Sequence, residues 1–191
     1  MANNPLDTTL LDRAIVFAVN AHAGTERRGK GFPYIVHPLE AVAIVATMTS
    51  DQELLAAAAL HDTLEDTDVT AAGIEAEFGP RVASLVVSET DRLIPELSEA
   101  ESWHERKQAA IDHLREASLD TKMVAIGDKL SNMRAIARDY AAVGDKLWTI
   151  FHVTERSEHE WHYRGLAEAL SELSGTAAFE EFESLINQVF A

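Results

Sequence analysis

Apolar residues recur along this chain at intervals of three and four, with polar residues between them, which predicts one helix after another. Leu10, Leu11, Ala14, Ile15, Ala18 and Val19 mark one face of a first helix, capped by Asp7 or Thr8 and ending near Ala23-Gly24. His37-Pro38 opens a second, with Leu39, Val42, Ala43 and Ala46 as its apolar face. Asp51 starts a third, whose centre reads Leu-Leu-Ala-Ala-Ala-Ala-Leu over 54–60 and which carries His61 and Asp62. Thr70 caps a short helix through Ile74 and Phe78, closed by Gly79-Pro80. Arg81 to Glu89 holds a β-branched run, yet Val82, Leu85 and Val86 fit a helix face. Ile94 to Ser98 reads as loop, and Glu99 to Ala117 as an amphipathic helix with Trp103, Ile111 and Leu114 inside. Ser118 or Asp120 caps a long helix lined by Met123, Val124, Ile126, Leu130, Met133 and Ile136. Beyond Gly144, Leu147, Trp148 and Phe151 pack a short helix, and Glu158 to Leu173 and Phe179 to Val189 complete the series. Residues 25–35, with Gly29, Gly31 and Pro33, read as a loop or short hairpin. The pattern predicts an all-α fold, a bundle of about ten helices in a single domain over 1–191, without repeat or linker.

Composition narrows the compartment and the ligands. The 191 residues include no cysteine, which excludes disulfides and thiolate metal sites and suits a reducing cytoplasm. Met1 to Leu11 carries Asp7 and no basic stretch, so no signal peptide is expected, and no apolar run has the length of a membrane span. A formal charge of −16 argues against nucleic-acid and membrane partners. An anionic small molecule would need a local basic patch. Arg27, Arg28 and Lys30 supply one at 27–30, although a solvated basic turn is the ordinary reading of such a loop taken alone.

The candidate chemistry centres on Leu60-His61-Asp62-Thr63-Leu64-Glu65-Asp66-Thr67. Ionisable residues closing an apolar helix need a partner or a ligand. Helix residues advance about 100° each, so His61 and Asp62 can converge on one point, with Glu65 and Asp66 a turn further on. A polar helix end with a surface capping cluster is the bland alternative. His37 stands at a helix mouth, and Asp128 lies among apolar residues with Asn132 four positions later. Singly, His37 reads as a cap or core residue and Asp128 as half of a surface salt bridge. Together, two imidazoles and two carboxylates suit Mn²⁺, Fe²⁺, Zn²⁺ or Co²⁺ with room for water or substrate. Glu65 and Asp66 are then placed to orient that water and take its proton.

The order His37, His61-Asp62, Asp128 resembles the metal pattern of HD-superfamily phosphohydrolases. Longer matches are more specific. Ala21-His22-Ala23-Gly24, Arg27-Arg28, Pro33-Tyr34-Ile35-Val36-His37-Pro38, the segment 60–67, Phe78-Gly79-Pro80-Arg81-Val82 and Asp128-Lys129-Leu130-Ser131-Asn132-Met133-Arg134 resemble the hydrolase domain of RelA/SpoT-type alarmone enzymes, from roughly residue 14 to 170. The resemblance implies an all-α domain that binds one Mn²⁺ and removes the 3′-pyrophosphate of (p)ppGpp. It implies His37, His61, Asp62 and Asp128 as ligands and Glu65 and Asp66 as the catalytic pair. Arg27 would lie against the purine, Arg28 near the phosphates, Asn132 on the sugar or phosphate, and Tyr163 in the pocket wall. Lys30, Arg106 and Lys107 are further phosphate candidates from their charge. The chain departs from the family at Arg28, where lysine is usual, in an arginine-to-His37 interval one residue longer, at Ala135 in place of threonine, and at Gly127 in place of alanine. These changes bear on base preference and leave the metal set intact. A chain ending at Ala191 resembles the stand-alone small alarmone hydrolases.

Two other readings stand beside this one. A related phosphatase would act on adenine alarmones or the 2′-phosphate of NADPH, and a regulatory module would keep the fold without chemistry. The sequence leaves monomer and homodimer, and guanine and adenine, equally open.

Overall fold

The computed structural model describes residues 7–91 and 96–191. They form ten α-helical segments. These are α1 (Thr9–Ala21), α2 (Val36–Val45), α3 (Gln52–Leu60), the single turn α4 (Thr63–Asp66), α5 (Ala71–Phe78), α6 (Pro80–Glu89), α7 (Glu99–Glu116), α8 (Leu119–Val143), α9 (Arg156–Ala169) and α10 (Ala177–Val189). Short 3₁₀ segments occupy Gly144–Ile150 and Ser171–Leu173. Among the described residues the only β pairing is one antiparallel bridge, Glu26 to Pro33. None of their helices is long and apolar enough to cross a membrane. Ile94 and Pro95, in the expected loop 94–98, and Met1 to Leu6 of the expected leaderless N-terminus lie outside the described residues.

The chain divides into two compact units, one up to Thr90 and one from Asp91 onward. In the first, α1, α2 and α6 pack on α3, and α5 packs on α6. The central place of α3 follows from its composition: every residue from Leu54 to Leu60 is buried. Small alanines let neighbouring helices approach closely, and burial of the leucines stabilises the contact by about 2 kcal/mol each. Asp51 holds its start, accepting from the Glu53 amide at 2.9 Å. In the second unit α8 packs on α10 and on the 144–150 segment, while α9 packs on α7 and α10. Phe182, Ile111, Ile126, Leu130, Met133 and Leu166 are fully buried there.

The anticipated caps at Asp51, Thr70 and Ser118 are all present. Three local expectations need correction. The buried positions of α2 are His37, Pro38, Ala41, Val42, Ile44 and Val45, while Leu39, Ala43 and the capping Ala46 face solvent. The helix expected over 158–173 runs from Arg156 to Ala169 and gives way at Leu170 to a 3₁₀ turn. The third helix does not continue through its motif: it stops at Leu60, and α4 begins afresh after Asp62.

Candidate metal centre and nucleotide-binding residues

The break after α3 shapes the site. The Thr63 hydroxyl donates to the Leu60 carbonyl at 2.6 Å, and the amides of Glu65 and Asp66 both donate to the Asp62 carbonyl, at 3.2 and 3.0 Å. The carbonyls of Leu60 and Asp62 are thus both paired where the backbone turns, and adjacent side chains reach the same point.

At that point three side-chain atoms meet. His61 Nε2 lies 3.2 Å from His37 Nε2 and 3.0 Å from Asp62 Oδ2, and His37 Nε2 lies 3.3 Å from the same oxygen. His61 Nδ1 is 2.8 Å from the Ala58 carbonyl. A carbonyl only accepts, so Nδ1 carries a proton, and Nε2 is the ring atom turned toward the cluster. Both imidazoles are buried. Three atoms that can each offer a lone pair, at this spacing, suit a shared positive charge. A single proton would serve one edge of the triangle and leave the others. Ligands about 2.1 Å from an ion stand about 3.0 Å apart at right angles and about 3.4 Å apart at tetrahedral angles. The observed edges fall in that interval, and the hard–borderline N₂O donor set suits a divalent first-row ion.

Around this cluster the first unit places Tyr34 and His22, neither singled out by charge or period. The Tyr34 hydroxyl donates to Asp62 Oδ2 at 2.7 Å. Burial, reinforced by the negative charges of Asp62 and Asp66, pushes its phenol far above the usual range, so the proton stays on oxygen. His22 packs against the Tyr34 ring with centroids 4.9 Å apart. Its two nitrogens are buried without hydrogen-bond partners among the described residues, and burial lowers its pKa, favouring the neutral ring. Both residues sit inside the motif segments 21–24 and 33–38, which was the one signal available for them. Glu65 and Asp66 are exposed on α4.

The basic stretch 27–30 forms the tip of a hairpin. Arg27 and Tyr34 donate their amides to Phe32 and Thr25, at 3.0 and 2.9 Å, and Gly29 and Gly31 take left-handed φ of 68° and 70°. Arg27 is half-buried with its guanidinium 5.2 Å from the Tyr34 ring centre. Arg28 is exposed and Lys30 half-buried.

The remaining sequence candidates belong to the second unit. Asp128 is buried on α8 and accepts from Asn132 Nδ2 at 2.5 Å and Lys129 Nζ at 2.6 Å. Arg106 is buried and paired with Asp91; it also donates to the Ser102 hydroxyl at 3.2 Å and the Glu99 carbonyl at 3.3 Å. Lys107 reaches the same Asp91 oxygen at 3.0 Å. Burial raises the Asp91 pKa, but Lys107 and Arg106 outweigh it and hold the carboxyl below its usual range. Asp91 therefore already offsets much of the positive charge that made these two side chains phosphate candidates. Tyr163 is buried, its ring near Phe182 and Phe190.

Comparison with known proteins identifies the family. An HD domain model matches residues 14–153. A guanosine-3′,5′-bis(diphosphate) 3′-pyrophosphohydrolase of Vibrio cholerae is 38% identical over 134 residues, 66% of this chain and 18% of its own length. The corresponding enzyme MESH1 of Danio rerio is 34% identical over 139 residues, 71% of this chain and 73% of its own. The chain spans between 17% and 19% of the length of the bacterial relatives it matches. The solved structure of a metazoan SpoT ortholog, described as hydrolysing ppGpp, aligns with TM-score 0.72 over 96% of this chain and 97% of that one. At 24% identity that likeness speaks for the fold. The matched span covers most of the sequence and includes the paired His61-Asp62 at the end of a buried helix, and on these grounds the chain belongs to the HD domain family.

Proposed function

We propose that this protein is a Mn²⁺-dependent hydrolase that removes the 3′-pyrophosphate of (p)ppGpp, yielding GDP or GTP and pyrophosphate, in the cytoplasm. The observation that carries the reading is the close triangle of His37, His61 and Asp62, with edges of 3.0–3.3 Å. The names of the Vibrio and zebrafish relatives support the substrate. Asp128 is proposed as the fourth ligand from its place in the family motif, with both units acting as one domain. When bound, the ion supplies Lewis acidity to a phosphoryl oxygen and lowers the pKa of a water. Glu65 and Asp66, on the turn beyond the ligands, orient the attacking water and take up its proton. Arg27 supports the purine, while Arg28 and Lys30 draw the nucleotide's phosphates into a chain of otherwise negative charge. Asn132, which steadies Asp128 through its amide, is proposed to reach the ribose or phosphate, and Tyr163 to back the pocket from the core. Arg106 and Lys107 are assigned to holding Asp91 and α7.

The test is a substrate panel with purified protein and Mn²⁺: ppGpp, pppGpp, their adenine counterparts and NADPH, with pyrophosphate and orthophosphate release measured separately. Pyrophosphate release from ppGpp is expected, with Glu65→Gln retaining Mn²⁺ and losing about 10²–10⁴ in turnover and His61→Ala losing both. Intact ppGpp and pppGpp at the end of the assay would refute the proposal, and orthophosphate from NADPH would favour the phosphatase alternative.

A further inference from the structure

Tyr34 touches several parts of the site at once. Its hydroxyl donates to Asp62 Oδ2 at 2.7 Å, the oxygen that also faces both imidazoles. A carboxylate oxygen has two lone-pair directions, so this bond and a place in the cluster are compatible. The ring is held from several sides: His22 packs on it at 4.9 Å and 31°, Arg27 lies 5.2 Å from its centre, and His37 meets it edge-on at 6.0 Å and 79°. Its amide is fixed by the Thr25 carbonyl at 2.9 Å. A half-buried tyrosine could turn its hydroxyl to water at little cost. Here backbone, ring and hydroxyl are all constrained, and the constraint ends on a carboxylate.

We infer that Tyr34 is a positioning residue: its hydroxyl fixes the rotamer of Asp62 so that Oδ2 faces His37 and His61, and the packing of His22 and Arg27 fixes Tyr34 in turn. The inference rests on the metal-dependent reading above. It assigns the His22 ring a mechanical role, exerted through the face that packs on Tyr34. It also makes Arg27 serve two ends, one toward substrate and one as the lid of the tyrosine ring.

The decisive variant is Tyr34→Phe, which removes one oxygen and keeps the ring. Mn²⁺ affinity is measured calorimetrically on metal-free wild type, Y34F, D62N and Y34F/D62N, each with a melting curve. Groups that orient metal ligands through hydrogen bonds typically contribute 10- to 100-fold in metal affinity, and a loss of that size is expected in Y34F with an unchanged metal-free melting temperature. In the D62N background the same substitution should add no further loss, because the residue through which Tyr34 acts has already been altered. At saturating Mn²⁺, kcat should recover while KM for nucleotide stays near wild type. Equal Mn²⁺ affinity in Y34F and wild type overturns the inference, as does a fully additive loss in the double variant. A collapsed metal-free melting curve for Y34F would also overturn it, marking Tyr34 as a folding residue. Wild type that binds no Mn²⁺ would remove the metal-dependent reading itself, and that outcome is recognised from the wild-type trace alone.

Discussion

Asp51 joins two effects at the start of the helix that presents His61, and substitution separates them. One carboxylate oxygen accepts from the Glu53 amide at 2.9 Å, and the other pairs with Arg81 at 2.8 Å. Arg81 also pairs with Glu53 at 2.6 Å, so it keeps a partner when Asp51 is lost. The carboxylate and guanidinium are more than a third exposed, which limits this pair to at most about 0.5 kcal/mol. The cap is the larger effect, about 1 kcal/mol for replacement by alanine. Asparagine caps as well as aspartate, so Asp51→Asn should cost no more than about 0.5 kcal/mol, and Asp51→Ala about 1–1.5 kcal/mol. At roughly 2–4 °C per kcal/mol for a chain of this size, the melting temperature falls by about 2–6 °C in D51A and by at most about 2 °C in D51N. The acid limb adds a second reading. Burial raises the Asp51 pKa, but the hydrogen bonds from Arg81 and the Glu53 amide outweigh it and the folded pKa is depressed. The stabilisation is therefore present above the unfolded carboxyl pKa and lost as pH falls through the folded one, a loss that D51N lacks. Calorimetric melts from pH 7 down to pH 3 read both. Equal damage in D51N and D51A would refute the ranking of cap over ion pair.

Buried histidines set a different pH dependence. Burial lowers the pKa of His22, His159 and His162, in His162 with help from the cations Lys107 and Lys129. These groups stay neutral in the fold and protonate in the unfolded chain, so their contribution is whole above about pH 6.5 and is lost as pH falls below it. The urea midpoint should drop between pH 7 and 5.5, less steeply in His162→Phe, and a flat wild-type profile would contradict this. Phe182 is fully buried on α10 with its ring near Tyr163. Phe182→Ala should cost about 3–5 kcal/mol, read by urea denaturation, and a loss under about 1 kcal/mol would mean that the second unit's core closes over the gap.

What could be read in advance followed the strength of local signals. Starts marked by Asp51, Thr70 and Ser118 fall where they should because a side-chain oxygen meets an orphan amide whatever lies around it. The face of α2 could not be read. Val-His-Pro-Leu-Glu-Ala-Val-Ala-Ile-Val is apolar nearly all round, so packing against α3, not periodicity, decides that Ile44 is buried and Leu39 is not. The end of α9 carries no glycine or proline until Gly175, and the chain turns at Leu170 because that residue is needed in the core. His37 and the His61-Asp62 pair were legible as candidates, and the coordinates of the first unit bring them together. The break at Asp62 was not, since nothing in Leu60 to Asp66 forbids a continuous helix. Nor was the hold of Asp91 on Arg106 and Lys107, which depends on three side chains meeting and not on spacing.

The hairpin at 25–34 has an evolutionary consequence. Its arms are pinned by the amide bonds of Arg27 and Tyr34, and between them lies a glycine-bearing tip that Gly31 ties back to Glu26 and Lys30 to the Arg27 carbonyl. Residues can be gained or lost at the tip while the pinned positions stay in register with each other. A residue gained or lost at such a tip leaves the backbone bonds of Arg27 and Tyr34 in place, so this loop can change in length and charge without displacing the strand-like arms that lead to His37.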